Sequence, residues 1–102
     1  MKKKLASKAA GSDRSSFTTL EQLPNVGPAV AADLRLLGVA LPADLAGRDP
    51  YRLYDELCRV TKQRHDPCVL DTFIAAVRFM EGGPKVPWYA YTAERKQKLG
   101  MK

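Results

Sequence analysis

Side chains able to do chemistry are few in this chain, and they gather in short stretches. His65-Asp66-Pro67-Cys68 sets an imidazole, a carboxylate and a thiol within four positions. These are the residue types that a nucleophile, its base and an orienting acid would need. Asp66-Pro67, however, is also the pattern of a helix cap with proline at the first helical position. A carboxylate engaged with backbone amides is poorly placed to orient His65. Cys68 opens an apolar helical pattern, where a reduced structural thiol is the ordinary outcome. The reading is therefore a non-enzyme with no catalytic residue. His65, Cys58 and Cys68, the single histidine and both cysteines of the chain, lack the paired spacing of a zinc site, so no metal ligands are assigned to them. Trp88, Tyr89 and Tyr91, between Lys85 and Arg95-Lys96-Lys98, have the composition of a single-strand stacking platform. In so small a domain, aromatics that follow Gly82-Gly83-Pro84 are expected instead to fold back over the core, with Trp88 the most buried of them. The remaining chemistry belongs to the backbone. In Leu23-Pro24-Asn25-Val26-Gly27-Pro28, Pro24 ends what precedes it, Asn25 and Gly27 tolerate positive φ, and Pro28 suits the first position of a helix. The first amides of that helix have no partner within it and point outward with the positive end of the helix dipole behind them, which suits a phosphate.

This turn and the helix after it resemble a helix-hairpin-helix. In proteins with that motif, backbone amides at the turn hold a DNA phosphate, and the resemblance implies that Asn25, Gly27 and Val30 supply them here. It also implies that the carbonyls of Glu21, Leu23 and Val26 could hold a monovalent cation. Asn25 stands where the motif has its first glycine, and Ala29 to Ala32 hold none of the Lys or Arg often found at the start of that helix. Lys62-Gln63-Arg64-His65 falls where a second hairpin would lie if the motif were duplicated. It lacks the glycine turn, but Lys62 and Arg64 could offer point charges to phosphate, against an ordinary solvated loop as the plainer reading.

The elements that must position these groups read as helices throughout. Thr18-Thr19-Leu20-Glu21 matches a capping box, with Thr18 as cap and Glu21 reaching back, and the short helix it opens ends at Pro24. From Pro28, the apolar residues Val30, Leu34 and Leu37 recur at i, i+4 and i+7, and Gly38 suits a left-handed cap. Leu41 to Gly47 reads as a single connecting turn. Asp49-Pro50 and Asp66-Pro67 each open a helix. The first buries Leu53, Leu57 and Val60 and leaves Arg52, Asp55, Glu56 and Arg59 wet. The second carries Leu70, Phe73, Ile74, Val77 and Met80 at helical spacing with apolar flanks, so it is the central buried helix. Asp71 on it is expected to pair with Arg78 or Arg59. Thr92 to Leu99 forms a short basic helix capped by Thr92, and no alternating β pattern of useful length occurs.

The charge is unevenly placed. The chain is +6 overall, but residues 1–16 and 93–102 together carry +7 and residues 17–92 carry −1. Long-range attraction to phosphate therefore comes from the ends. Residues 1–16 are rich in Lys, Ser, Ala and Gly and read as a disordered basic arm. They contain no apolar run suited to an export signal, and no stretch approaches the roughly 20 apolar residues of a membrane span. The cytoplasm is the expected compartment.

Taken in order, Leu23 to Pro28 with Asp33-Leu34 and Leu37-Gly38, Asp49-Pro50-Tyr51-Arg52-Leu53-Tyr54, His65 to Asp71 and Pro87-Trp88-Tyr89 resemble the bacterial pathogenicity-locus family of small helix-hairpin-helix proteins. Members of that family are often labelled mitomycin-resistance proteins. A weaker similarity reaches the C-terminal domain of TfoX-type competence regulators. The resemblance covers roughly residues 17–98 and implies a compact all-α, SAM-like domain of about five helices. Residues 17–92 form the domain, between the arm and a basic C-terminal tail. The expected function is weak, sequence-independent DNA binding through the hairpin amides. The alternative is a SAM-like protein adaptor in which the hairpin is only structural. Neither reading calls for a small-molecule substrate or a cofactor beyond the hairpin cation.

Overall fold

In a computed structural model the described residues are 16–99, and they are helical with no strand. Apart from Ser16, the arm read over residues 1–16 lies outside them, as do residues 100–102. Four α-helices follow in order: α1 (Pro28–Leu36), α2 (Pro50–Thr61), α3 (Pro67–Met80) and α4 (Thr92–Leu99). Single 3₁₀ turns stand at Leu20–Gln22, Pro42–Leu45 and Trp88–Tyr91. The short helix expected ahead of the hairpin is thus one 3₁₀ turn.

The helix starts are local and follow their residues. Asp49 accepts the Tyr51 amide at 2.9 Å and Asp66 accepts the Cys68 amide at 3.0 Å, each with proline at the first helical position. The expected capping box shifts by one residue. Gln22, not Glu21, reaches back, its Oε1 accepting the amides of Thr18 and Thr19 at 2.7 and 2.9 Å. Glu21 is engaged elsewhere: it pairs with Arg35 of α1 at 2.8 Å, tying the 3₁₀ turn to the helix that follows.

Helix α3 is the centre of the fold, with nine of its fourteen residues buried. Helix α2, the Pro42–Leu45 turn, the Trp88–Tyr91 turn and α4 all pack on it. Phe73 and Ile74 have no exposed surface. A Phe73→Ala change would cost about 3–5 kcal/mol through lost transfer energy and the cavity left behind. Phe17 packs on Phe79, ring centroids 6.0 Å apart, and closes one side of the core. On α2 the buried stripe is Pro50, Leu53, Tyr54 and Leu57, a full i, i+3, i+4, i+7 set. Val60, expected inside, is 42% exposed because it lies roughly 70° around the helix from the centre of that stripe. On α1 the buried positions are Ala31 and Leu34, with Val30 and Leu37 half-buried at the edges. Helix α3 stops where Gly82 takes φ +99° and Gly83 donates to the Arg78 carbonyl. A Cβ on Gly83 would lie 2.7 Å from that oxygen, so the close approach requires glycine.

The C-terminal basic segment is docked. Asp71 of α3 is fully buried, and its Oδ1 accepts Arg95 Nε at 2.8 Å. Its Oδ2 accepts the Thr92 hydroxyl at 2.7 Å and Arg95 Nη2 at 3.2 Å. The partner of Asp71 is therefore Arg95, not Arg78 or Arg59. Thr92 is the first residue of α4 and gives its hydroxyl to Asp71 rather than capping the helix. Arg78 pairs instead with Glu94 of α4 and lies over the Tyr91 ring, 5.6 Å from its centroid.

Candidate functional site

The turn read as a hairpin runs from Leu23 to Pro28, between the 3₁₀ turn and α1. The Val26 amide closes on the Leu23 carbonyl at 3.2 Å, and Asn25 takes the left-handed conformation at φ +71°. Asparagine tolerates that region better than other residues with a Cβ. Gly27, expected to share a positive φ, does not: it is extended at φ −92°, ψ −173° as the cap of α1. A side chain at Gly27 would meet nothing within 4 Å. Glycine is thus not required there by strain or by crowding within the chain, and the space before the helix start is open.

Around that space the amides of Asn25, Gly27, Ala29 and Val30 have no acceptor within the described residues, whereas Ala31 already bonds to the Gly27 carbonyl at 2.9 Å. Asn25, Gly27 and Ala29 are exposed and Val30 is half-buried. The three amides named from the sequence therefore fall within six consecutive residues and have no acceptor among the described residues. Nine residues of aligned peptide dipoles stand behind them.

The side chains around the turn are occupied. Arg35, the single basic residue of α1, holds Glu21 with both nitrogens, at 2.8 and 3.1 Å. That pairing keeps the Glu21 carboxyl below its ordinary range and raises the Arg35 guanidinium. Asn25 Nδ2 donates to the Val86 carbonyl at 2.8 Å, and its Oδ1 accepts the Trp88 amide at 3.2 Å. One side chain thus joins the hairpin to a segment more than sixty positions along the chain. Of the three carbonyls considered for a cation, that of Leu23 already accepts the Val26 amide and keeps one lone pair. The set offers neutral oxygens only, since the Glu21 carboxylate is bound to Arg35. Such a set fits a monovalent cation better than a divalent one, which would seek carboxylates.

Lys62 and Arg64 are not brought into this site by any hydrogen bond or ion pair among the described residues. They lie in the loop before α3, whereas the hairpin is tied to the segment after it. Lys62 is left-handed at φ +59° and ends α2. Arg64 lines a cavity of about 340 Å³ with Tyr51, Tyr54, Cys58 and Arg95.

The cluster that looked catalytic is dispersed among other partners. His65 Nε2 is 2.8 Å from the Thr61 hydroxyl, whose one proton goes to the Leu57 carbonyl, so the ring donates to Thr61. The Tyr54 hydroxyl donates to the His65 carbonyl. The Cys68 amide holds the Asp66 carboxyl below its ordinary value. Asp66, and then burial, push the Cys68 thiol up. A thiol kept protonated is a poor nucleophile. Among the described residues no group of three His, Cys, Asp or Glu side chains converges as a metal site, and no helix is long and apolar enough to cross a membrane.

The aromatic segment departs from expectation. Trp88 and Tyr89 are 37% and 63% exposed, and the residue that closes on the core is Tyr91. Two contacts had no signal in the sequence: the Asn25 tie to residues 86–88 and the clamp of Asp71 on α4.

The pathogenicity-locus family (Cdd1) matches this chain over residues 13–97. A relative, the mitomycin resistance protein McrB of Streptomyces lavendulae, is 46% identical over 88 residues, which span 86% of this chain and 81% of that protein. No solved structure matches. With a family match over most of its length and a relative this similar, the chain belongs to the pathogenicity-locus family.

Proposed function

We propose that this is a non-enzymatic, cytoplasmic helix-hairpin-helix module of SAM-like fold that binds DNA weakly and without sequence preference. The observation that carries the reading is the row of unpartnered amides at Asn25, Gly27 and Val30 before an open space at the start of α1. One backbone phosphate fits there, held by amide donors and the helix dipole. Such contacts fix position and read no sequence. A monovalent cation at the carbonyls of Glu21, Leu23 and Val26 would stiffen the turn and add positive charge beside the phosphate. Lys62, Arg64 and the basic ends contribute screened attraction, which acts over about 8–10 Å at ordinary salt. With so few charges, affinity belongs at the non-specific end, on the order of 10⁻⁴ to 10⁻⁶ M at physiological salt. The resistance in the relative's name describes a phenotype and adds no chemistry to this reading.

One observation favours a second reading. Arg35 is bound to Glu21, so α1 offers no unpaired basic side chain to DNA. That suits a protein adaptor in which the hairpin only joins packed elements, and a fold alone does not choose between such uses. Binding of the full chain to duplex and single-stranded DNA, titrated with salt and repeated with Gly27→Asp, separates the two. A carboxylate capping the α1 amides should weaken DNA binding at least about fivefold, the effect of one like-charge contact of about 1 kcal/mol in water. Equal binding by the two folded proteins would mean that the basic ends bind as polycations, and the adaptor reading would stand.

A further inference from the structure

Trp88 and Tyr89 are adjacent large aromatics that the fold leaves outside. Their rings meet edge to face, centroids 5.6 Å apart and planes at 83°. Core closure does not account for them, since Tyr91 performs it, and Tyr89 is more exposed than any other large apolar residue noted at the surface. They are nevertheless held in place. Both belong to the 3₁₀ turn Trp88–Tyr91, which packs on α3 and is closed by the Ala90 amide on the Pro87 carbonyl at 3.0 Å. Asn25 adds two hydrogen bonds to the backbone on either side of Pro87. The pair is therefore preorganised, and ordering it again on binding costs little.

The same tie fixes its position. The Trp88 amide is 3.2 Å from Asn25 Oδ1, and Asn25 also carries the first of the free hairpin amides. Between Glu81 and Glu94 the chain holds one charged residue, Lys85, and of the two flanking acids Glu94 is paired with Arg78 and Glu81 accepts the Gly47 amide.

We propose that Trp88 and Tyr89 form a stacking platform for an unpaired base, so that the preferred partner is single-stranded DNA rather than intact duplex. This rests on the hairpin reading for the phosphate of the same strand, but the stacking itself does not. Every base presents a π face once unstacked, so the platform is sequence-tolerant, as expected of a site with no hydrogen-bonding readout. In a duplex those faces are covered by neighbouring bases. Removal of one stacking ring should lower single-strand affinity roughly 5- to 150-fold, the usual range for alanine substitution at such contacts.

Trp88 is the single tryptophan of the chain, so its emission reports contact directly. The test uses the full chain, a labelled 12-nucleotide single strand and a duplex of the same sequence, with anisotropy for affinity and Trp88 emission for stacking. The expected result is quenching by the single strand only, at least fivefold tighter single-strand binding, and loss of that preference in Tyr89→Ala and Trp88→Leu with duplex binding unchanged. If Trp88→Leu fails to fold, Tyr89→Ala decides the matter, because that side chain is mostly in solvent. Single-strand binding with quenching that survives Gly27→Asp would keep the platform and remove the hairpin phosphate site. Equal single-strand and duplex binding, sensitive to Gly27→Asp but not to Tyr89→Ala, would keep the hairpin and overturn the platform. No binding to either DNA overturns both and leaves the aromatic pair to a protein partner.

Discussion

Removing the Asp71 carboxylate is the most demanding perturbation of this architecture. Asp71 is fully buried and Arg95 is 7% exposed, so Asp71→Ala would take a buried carboxylate away from the guanidinium and from the Thr92 hydroxyl. Breaking one side of such a buried pair costs about 3–5 kcal/mol. A domain of this size is stable by roughly 5–10 kcal/mol, so the loss is a third of the total or more. It should lower the melting temperature by about 12–40 °C, at some 4–8 °C per kcal/mol. An upper limit is set by α4 itself: once the cost exceeds its docking energy, α4 detaches, Arg95 hydrates and the helical signal of Thr92–Leu99 disappears. The assay is urea unfolding followed by circular dichroism and Trp88 emission. Two comparisons make it specific. Arg78 and Glu94 pair with side chains about 40% exposed, so Arg78→Ala should cost about 1 kcal/mol or less from the ion pair, plus its packing on Tyr91. The double change Asp71→Leu with Arg95→Met should recover most of the loss, because an apolar pair of similar volume can replace a buried ionic one. A loss below about 1 kcal/mol in Asp71→Ala, with α4 still helical, would refute the clamp.

Other outcomes follow from the same geometry. Gly27→Asp should leave the fold intact and raise its stability by a few tenths to about 1 kcal/mol, since Gly27 is extended, its Cβ space is open, and aspartate is a preferred cap; a lowered melting temperature would contradict this. Lys62→Gly should stabilise by about 0.5–1 kcal/mol, because a residue with a Cβ now sits at φ +59°. Urea midpoints check it, and destabilisation would show that Lys62 makes a contact worth more than its strain. Glu21 and Asp66 have folded pKa values depressed below their ordinary 4.5 and 3.8, so below those values the unfolded chain binds more protons. Stability should be full above about pH 5 and fall as acid titrates them, and Asp66→Asn, which still caps, should flatten part of that slope in thermal melts. Cys68 should be alkylated by iodoacetamide at pH 8 more slowly than the same thiol in the unfolded chain, and faster in Asp66→Asn, because Asp66 is the first cause of its raised pKa.

The legible parts of this fold are those that a few neighbouring residues determine. Asp49-Pro50 and Asp66-Pro67 announce both long helices because cap and proline act within one turn. The apolar spacing from Leu70 to Val77 identifies α3 as central, and Gly82-Gly83-Pro84 marks its end. The start of α1 at Pro28 was legible for the same reason, although Gly27 before it is extended rather than at positive φ. What escaped depends on partners distant in sequence. The capping register moved from Glu21 to Gln22 because Arg35, fourteen positions on, takes Glu21. Nothing near Asn25 announces its bonds to Val86 and Trp88, and nothing near Arg95 distinguishes a buried partner of Asp71 from a solvated base. Trp88 was expected inside because aromatics after Gly82-Gly83-Pro84 in so small a domain tend to fold back over the core, but its backbone is tied to Asn25, its ring stays partly exposed and Tyr91 packs on the core instead.

The proposed hairpin phosphate site is tested most directly by following backbone amides in ¹H–¹⁵N spectra of the labelled full chain as a short DNA strand is added. The account predicts that the amides of Asn25, Gly27 and Val30 shift together and saturate on one binding curve, while residues beside Lys62 and Arg64 respond weakly and lose their response as salt rises. Shifts confined to the Lys- and Arg-rich segments, with those three amides unmoved at saturation, would contradict it.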